Sequence, residues 1–228
     1  MKYDAVIFDL FGTLVDIFSL EEYRVFIKDM CAVLGVSPAD FMSRWDEKAD
    51  ERALGQVPVA EQLRVLCEGL GVEVTPERLE RAVEMRVDFV RGVLVPRGDA
   101  ASTLAALRER GLKVGVISDC SEEVVAAWPS TPLAPLVHEA VLSAAVGLKK
   151  PDPRVYELAC ERLGVTPEKC LFVGDGGSRE LTGATAAGME AVLIRVPGDA
   201  GDDAFRRDAE EWDGARVAAL QEVLELVG

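Results

Sequence analysis

The sequence predicts an α/β protein: a Rossmann-like parallel sheet core built from both ends of the chain, with an all-α segment inserted after the first strand. Three observations carry this. Residues 5–8 (Ala-Val-Ile-Phe) are a short apolar run, as expected of a strand buried on both faces of a parallel sheet. Residues 19–92 then read as helix after helix, with no strand between. From Pro96 onward, short β-branched runs alternate with helical stretches, the pattern of right-handed βαβ units. The expected division is a core of residues 1–16 and 93–228, and a helical cap of residues 17–92 that leaves the sheet beside Asp9.

Within the insertion, Ser19 with Glu22 forms a capping box, and Leu20, Tyr23, Phe26, Ile27, Met30, Val33 and Leu34 recur at helical spacing until Gly35. Ser37-Pro38 starts a second helix with a capping side chain and a proline at the first helical position. Residues 55–58 (Gly-Gln-Val-Pro) break the pattern. A third helix then runs to residues 70–71, and Thr75-Pro76 starts a fourth that ends near residues 91–92. Downstream, helices are expected over 100–110, after Ser121, and over 153–163, 178–187 and 214–227. Strands are expected over 113–117, 140–142, 170–173 and 191–195. Residues 197–203, rich in glycine and aspartate, are the expected flexible segment.

The net charge of −15 repels polyanions and argues against nucleic acid or an anionic membrane as partner. A small phosphorylated substrate remains compatible, because a local pocket of cations and backbone amides overrides the long-range field. No apolar run reaches the ~20 residues that span a bilayer, and no cleavable signal pattern follows Met1. The five cysteines are scattered without a Cys-x-x-Cys pair, so neither a disulfide framework nor a zinc site is indicated, and a reduced cytoplasmic protein is expected.

A parallel sheet gathers the carboxyl ends of its strands at one edge, where ligands bind. Four such ends carry polar groups: Asp9 with Gly12 and Thr13, Ser118 with Asp119, Lys150 before Pro151, and Asp175 with Glu180. In this order they resemble the four motifs of the haloacid dehalogenase superfamily. Asp9-Leu10-Phe11-Gly12-Thr13-Leu14 matches the first motif, and Val114-Gly115-Val116-Ile117-Ser118 the second. Gly147-Leu148-Lys149-Lys150-Pro151-Asp152-Pro153 matches the third, and Val173-Gly174-Asp175 with Glu180 the fourth. Gly183-Ala184 and Ala187-Gly188-Met189 also fit. The likeness covers essentially the whole chain and is to the branch with a helical cap between the first two motifs.

This resemblance implies a hydrolase in which Asp9 attacks phosphorus to form an aspartyl-phosphate. Thr13 falls in the catalytic set, Ser118 donates to a phosphate oxygen, and Lys150 supplies fixed positive charge that keeps Asp9 ionised. Asp9, Asp175 and the main-chain carbonyl of Phe11 are the implied ligands of Mg²⁺. Glu180, one methylene longer than the usual aspartate, binds directly or through water. Phe11, Gly12, Asp119 and Gln56 are the implied substrate contacts, with the Gly55-Gln56 break reaching toward the site as part of a mobile lid.

The departure is Phe11. Phosphatases of the superfamily usually carry a second aspartate there, as acid for the leaving group, and phenylalanine cannot serve. General acid–base help is worth roughly 10²–10⁴ in rate, so substrates with good leaving groups, such as acyl phosphates or phosphoanhydrides, suffer less. The dehalogenase branch has an aromatic at this position, but it needs no metal, typically has Asn after the second-motif Ser, and lacks the Gly-Asp pair. This chain has Asp119 and Asp175 instead. The phosphonatase branch uses a cap lysine, and neither Lys28 nor Lys48 sits in a diagnostic pattern. The expectation is therefore Mg²⁺-dependent phosphoryl transfer on a small metabolite. The alternatives are a metal-independent 2-haloacid dehalogenase-like hydrolase, or a weakly catalytic homologue that binds a ligand. Monomer and homodimer are both open.

For the remaining residues the structural reading is the simpler one. Lys149 is expected to be solvated, His138 structural, Asp16 a hinge residue, and Trp45, Trp128 and Trp212 packing anchors.

Overall fold

The computed structural model describes residues 2–16, 19–198, 208–209 and 211–228. Most of the expected flexible stretch, residues 199–203, lies outside them. Six parallel strands form one sheet: β1 (Ala5–Phe8), β2 (Lys113–Ser118), β3 (Glu139–Leu142), β4 (Cys170–Gly174), β5 (Glu190–Ile194) and β6 (Arg216–Val217), in the order β3-β2-β1-β4-β5-β6. β1 lies at the centre, with Phe8 opposite Val116 of β2 on one side and Val173 of β4 on the other. The chain fills one flank of β1 with β2 and β3, then crosses to the other with β4. Asp9 therefore ends the strand where the winding reverses, the place at which doubly wound sheets open a crevice.

Alternation along the strands sets the two faces. Val6 and Phe8 point into one apolar cluster, with Val114, Val116, Leu171 and Val173. Helices α6 (Ala100–Glu109), α7 (Glu122–Ala127) and α11 (Val223–Leu226) cover it through Leu104, Leu107, Val124 and Val223. Ala5 and Ile7 point into the other, with Ile117 and Phe172, under α9 (Pro153–Leu163) and α10 (Glu180–Ala186). A short helix, α8 (Ser143–Val146), follows β3.

The insertion builds a third cluster of its own. It comprises α1 (Leu20–Leu34), α2 (Pro38–Glu47), α3 (Ala49–Ala53), α4 (Val59–Gly69) and α5 (Pro76–Val93), packed around Met30, Leu34, Phe41, Trp45, Leu63 and Ala82. The Ser19–Glu22 capping box is formed, and Gly35 closes α1 in a left-handed conformation. Thr75 caps α5, whereas the Ser37 side chain makes no capping bond, leaving Pro38 as the start signal of α2. The expected single helix after Ser37 is two, because the backbone leaves helical geometry at Lys48 (φ −106°, ψ 15°). Trp45, in the last turn of α2, stacks on Phe41 and receives the Arg52 guanidinium over its ring at 3.7 Å.

Two expected helices are corrected. Residues 214–227 are not one helix: Arg216–Val217 add β6 to the sheet, and only Val223–Leu226 are α-helical. Leu193 N–H donates to Ala215 and Arg195 N–H to Val217, so hydrogen bonding to the exposed edge of β5 overrides the local helical period. The helix expected from Ser178 starts at Glu180, since Ser178 and Arg179 hold φ values of 50° and 53°. That turn directs Glu180 back toward the strand ends.

The insertion meets the core through named contacts. Arg86 of α5 pairs with Glu123 of α7 at 2.5 Å with both side chains buried, and Glu122 accepts from Val59 N–H at 2.6 Å. Lys149 pairs with Asp50, so it is an inter-module tie rather than a solvated bystander. Gly55 (φ +61°) lies directly on the core, where a Cβ would sit 2.0 Å from the Ala144 carbonyl oxygen. Gly55→Ala is therefore expected to lower stability by ~1–3 kcal/mol through backbone strain and displacement of this loop. Urea denaturation, with Gly92→Ala as a helical control whose Cβ meets open space, measures it.

Candidate active site

Asp9 leaves β1 with its N–H still donating to Val173 at 2.9 Å, which fixes the carboxylate over the sheet edge. The next residues fold back tightly: the Leu10 carbonyl accepts from Leu14 and Val15 at 2.9 Å each. Asp9, Thr13, Ser118, Lys150, Asp175 and Glu180 are all at most 5% exposed, far below what is usual for these residue types. Burial of so many polar groups is tolerable only where they satisfy one another or await a ligand.

Lys150 does most of the satisfying. Its ammonium donates to Asp9 Oδ1 at 2.5 Å and to Glu180 Oε2. The other Glu180 oxygen accepts from Gly176 N–H at 3.0 Å, and the Tyr156 hydroxyl holds the Glu180 main-chain carbonyl at 3.0 Å. Both carboxylate oxygens of Glu180 are thus engaged by protein donors. Gly174 is required for this approach, since a Cβ there would fall 2.2 Å from Glu180 Oε1. Asp175 accepts from Gly177 N–H at 3.0 Å. Oxygens of Asp9, Asp175 and Glu180 lie within 4.8 Å of one another, a spacing that suits a hard cation taking oxygen ligands.

The buried carboxylates crowd one another and Lys150. Burial pushes the Asp9 carboxyl up to about 6, with Lys150 opposing the rise and Asp175 adding to it. Glu180 is raised well above the carboxylate range, first by burial and then by Asp9. Burial would lower Lys150, but Asp9 and Glu180 hold it well above its usual value. Lys150 is therefore a permanent cation. It pulls Asp9 toward ionisation as the sequence suggests, yet burial outweighs it.

Two hydroxyls stand in contrast. Thr13 Oγ1 and Ser118 Oγ are buried without a hydrogen-bond partner among the described residues. A buried orphan hydroxyl costs about 1–3 kcal/mol, which an acceptor-rich ligand would recover.

Asp119 is half-buried, and one oxygen of its carboxylate accepts from the Lys150 main-chain N–H at 2.9 Å, which positions that lysine. Gln56 is exposed, on a loop that lands on Ala144. Phe11 is half-buried against the apolar cluster under β1. His138 accepts from Val114 N–H at 2.9 Å, a structural role. Lys28 and Lys48 are exposed, Lys48 pairing with Glu51.

Sequence reasoning missed Arg97. Buried at the point where the chain returns from the insertion, it donates to the carbonyls of Gly12 and Thr13 at 2.9 Å each and pairs with Asp16 at 2.8 Å. It clamps the loop that follows Asp9, and only its place directly after Pro96 hinted at this. Arg86 and Glu123 were missed for the same reason: their partners are 37 residues apart.

The fold is a doubly wound α/β sheet with a buried polar cluster at its strand ends. The haloacid dehalogenase-like hydrolase profile matches residues 3–188, and the chain belongs to that family. Its relatives divide between two chemistries. A phosphatase of Mycobacterium tuberculosis (MT3486) is 30% identical over 90% of this chain and 94% of its own. An (S)-2-haloacid dehalogenase of Burkholderia cepacia (4A) is 28% identical over 86% of this chain and 84% of its own. A glyceraldehyde 3-phosphate phosphatase of Methanopyrus kandleri is 34% identical over 58% of this chain, and the match spans only 57% of that relative's length.

The raised Asp9 carboxyl has a pH consequence. The folded chain binds this proton more tightly than the unfolded chain, whose carboxyl titrates near 3.8. The stability so gained is present below about pH 4 and lost as pH rises through 6, an amount of about 3 kcal/mol. Asp9→Asn, which does not ionise, is expected to be more stable than the parent in metal-free buffer near pH 7.5, with the gap closing toward pH 4. Urea denaturation across that range measures it.

Proposed function

We propose that the protein is a Mg²⁺-dependent phosphatase of small phosphorylated metabolites, working through an aspartyl-phosphate on Asp9. The observation that carries this reading is the buried oxygen cluster: carboxylate oxygens of Asp9, Asp175 and Glu180 lie within 4.8 Å of one another, a donor set that suits Mg²⁺. The orphan hydroxyls of Thr13 and Ser118 support the same conclusion, as donors for phosphoryl oxygens.

In this reading the helical segment 17–92 is a cap over the core of residues 1–16 and 93–228. Asp9, Asp175 and the Phe11 carbonyl would hold Mg²⁺, with Glu180 beside them as a direct or water-bridged ligand that also holds Lys150. The bound ion supplies positive charge to the phosphoryl oxygens. Asp9 attacks phosphorus as the bond to the leaving oxygen breaks, and Thr13, Ser118 and Lys150 bind the equatorial oxygens. Water then cleaves the acyl phosphate, releasing inorganic phosphate and Asp9. Gly12 lets the loop approach the substrate, and Gln56 selects substrates from the loop that touches Ala144.

Phe11 restricts the substrates. Asp119, one oxygen of which accepts from the Lys150 backbone, is the nearby carboxylate that could stand in for the missing acid. Acyl phosphates and phosphoanhydrides, whose leaving groups depart without protonation, are the preferred class.

A second reading rests on Phe11 itself and on the Burkholderia relative. Here Asp9 displaces halide from a 2-haloacid, and Lys150 and Ser118 bind the substrate. Assays of phosphate esters, acyl phosphates and 2-haloacids with Mg²⁺ or EDTA separate the two. Phosphate release lost in EDTA and in Asp9→Asn is the expected result; halide release insensitive to EDTA would establish the dehalogenase. Phe11→Asp is expected to raise turnover of alkyl phosphates by roughly 10²-fold or more, the worth of a positioned acid, with little change for acyl phosphates. Steady-state kinetics on both classes checks this.

A further inference from the structure

Far from the strand-end cluster, at the opposite edge of the sheet, two thiols meet. Cys160 lies in the last turn of α9 and Cys170 is the first residue of β4. Their sulfurs are 3.7 Å apart, at van der Waals contact, and the residues are 3% and 0% exposed. The connection between them is short and tightly built. Gly164 ends the helix in a left-handed conformation, Val165 N–H donates to the Cys160 carbonyl at 3.0 Å, and a 3₁₀ turn over Pro167–Lys169 delivers the chain to β4. The Cys170 thiol also faces the Thr166 carbonyl at 3.3 Å. The two side chains thus converge from fixed backbones.

Convergence is the demanding requirement of a disulfide, because side chains that point apart cannot be bridged without moving the backbone. Here bonding needs the sulfurs to close from 3.7 Å to about 2.05 Å, within reach of side-chain rotation and a small shift of the helix end. Cys31 and Cys67 are neighbours buried in the helical insertion and Cys120 lies beside the strand ends, but the sulfur–sulfur contact is between Cys160 and Cys170. A buried, preformed thiol pair at the end of a helix has no part in the chemistry of Asp9.

We propose that Cys160 and Cys170 are a redox modification site that a hydroperoxide converts to an intrachain disulfide, clipping α9 to β4. The Cys160 thiolate attacks one peroxide oxygen, the O–O bond breaks, and the departing oxygen leaves as alcohol or water. The resulting sulfenic acid is attacked by the Cys170 sulfur; the S–S bond forms, the S–O bond breaks and water leaves. Two thiols lose two electrons and two protons, and the hydroperoxide accepts them. Because the pair lies at the N-terminal end of β4 and Asp175 follows its C-terminal end, the clip tightens the scaffold without touching the site.

The test uses the whole chain, treated with a few equivalents of hydrogen peroxide under native conditions and then alkylated. The expected result is an intact mass lower by about 2 Da before alkylation, one cross-linked pair of peptides containing Cys160 and Cys170, and reversal by dithiothreitol. Closing so short a loop should raise Tm by about 5 °C, and Cys160→Ser and Cys170→Ser should each abolish both effects. A Cys31→Ala, Cys67→Ala, Cys120→Ala variant should retain them. Recovery of Cys160 and Cys170 as alkylated thiols, their conversion to sulfinic acid without cross-linking, or a disulfide joining other cysteines would overturn the proposal. Peptide mapping of the parent protein decides it even if a variant fails to fold.

Discussion

Lys150 is buried among carboxylates, and the architecture of the site follows from keeping it there. An ammonium taken out of water is stable only against well-placed negative charge. Asp9 and Glu180 provide it directly, while Asp119 fixes the lysine backbone. Each partner arrives from a different segment of the chain: Asp9 from the central strand, Asp119 after β2, and Glu180 from the start of α10. The four segments are thereby bound to one point. The left-handed turn at Ser178 and Arg179 and the absence of a side chain at Gly174 are local concessions to the same end, because both bring Glu180 within reach.

Burial, and the closeness of the carboxylates to one another, raise the carboxyls of Asp9 and Glu180. In the proposed reading these same residues receive a divalent cation and, beyond it, a phosphoryl group. The family's two chemistries differ on this point. A nucleophilic aspartate and a lysine suffice to open a carbon–halogen bond, whereas phosphoryl transfer has to manage charge on both reactants. Phe11 pulls toward the first and the carboxylate cluster toward the second, and acyl phosphates are the proposed substrates that fit both.

The helical insertion is tied to this centre by few but specific contacts. Arg97 stitches the outgoing and returning chains to the loop after Asp9, and α7 offers Glu122 and Glu123 to α4 and α5. Movement of the insertion would be felt at Gly12 and Thr13 through Arg97, and at the segment after Ser118 through α7.

The sequence alone determined the βαβ alternation, the helical insertion and the strand-end residues Asp9, Ser118, Lys150 and Asp175. These are properties of local pattern: apolar runs, capping residues and glycine stops act within a few positions, and a parallel sheet aligns its carboxyl ends without further instruction. It misjudged residues 214–227 and 178–187, where helical periodicity competed with a partner distant in sequence. The open edge of β5 captured Arg216–Val217, and the bond from Gly176 N–H to Glu180 delayed α10. Only the tertiary structure decided that Arg97 clamps the loop after Asp9, that Asp119 accepts from the Lys150 backbone, and that Cys160 meets Cys170. Each of these depends on which surfaces face one another after packing, and spacing along a chain carries no record of that.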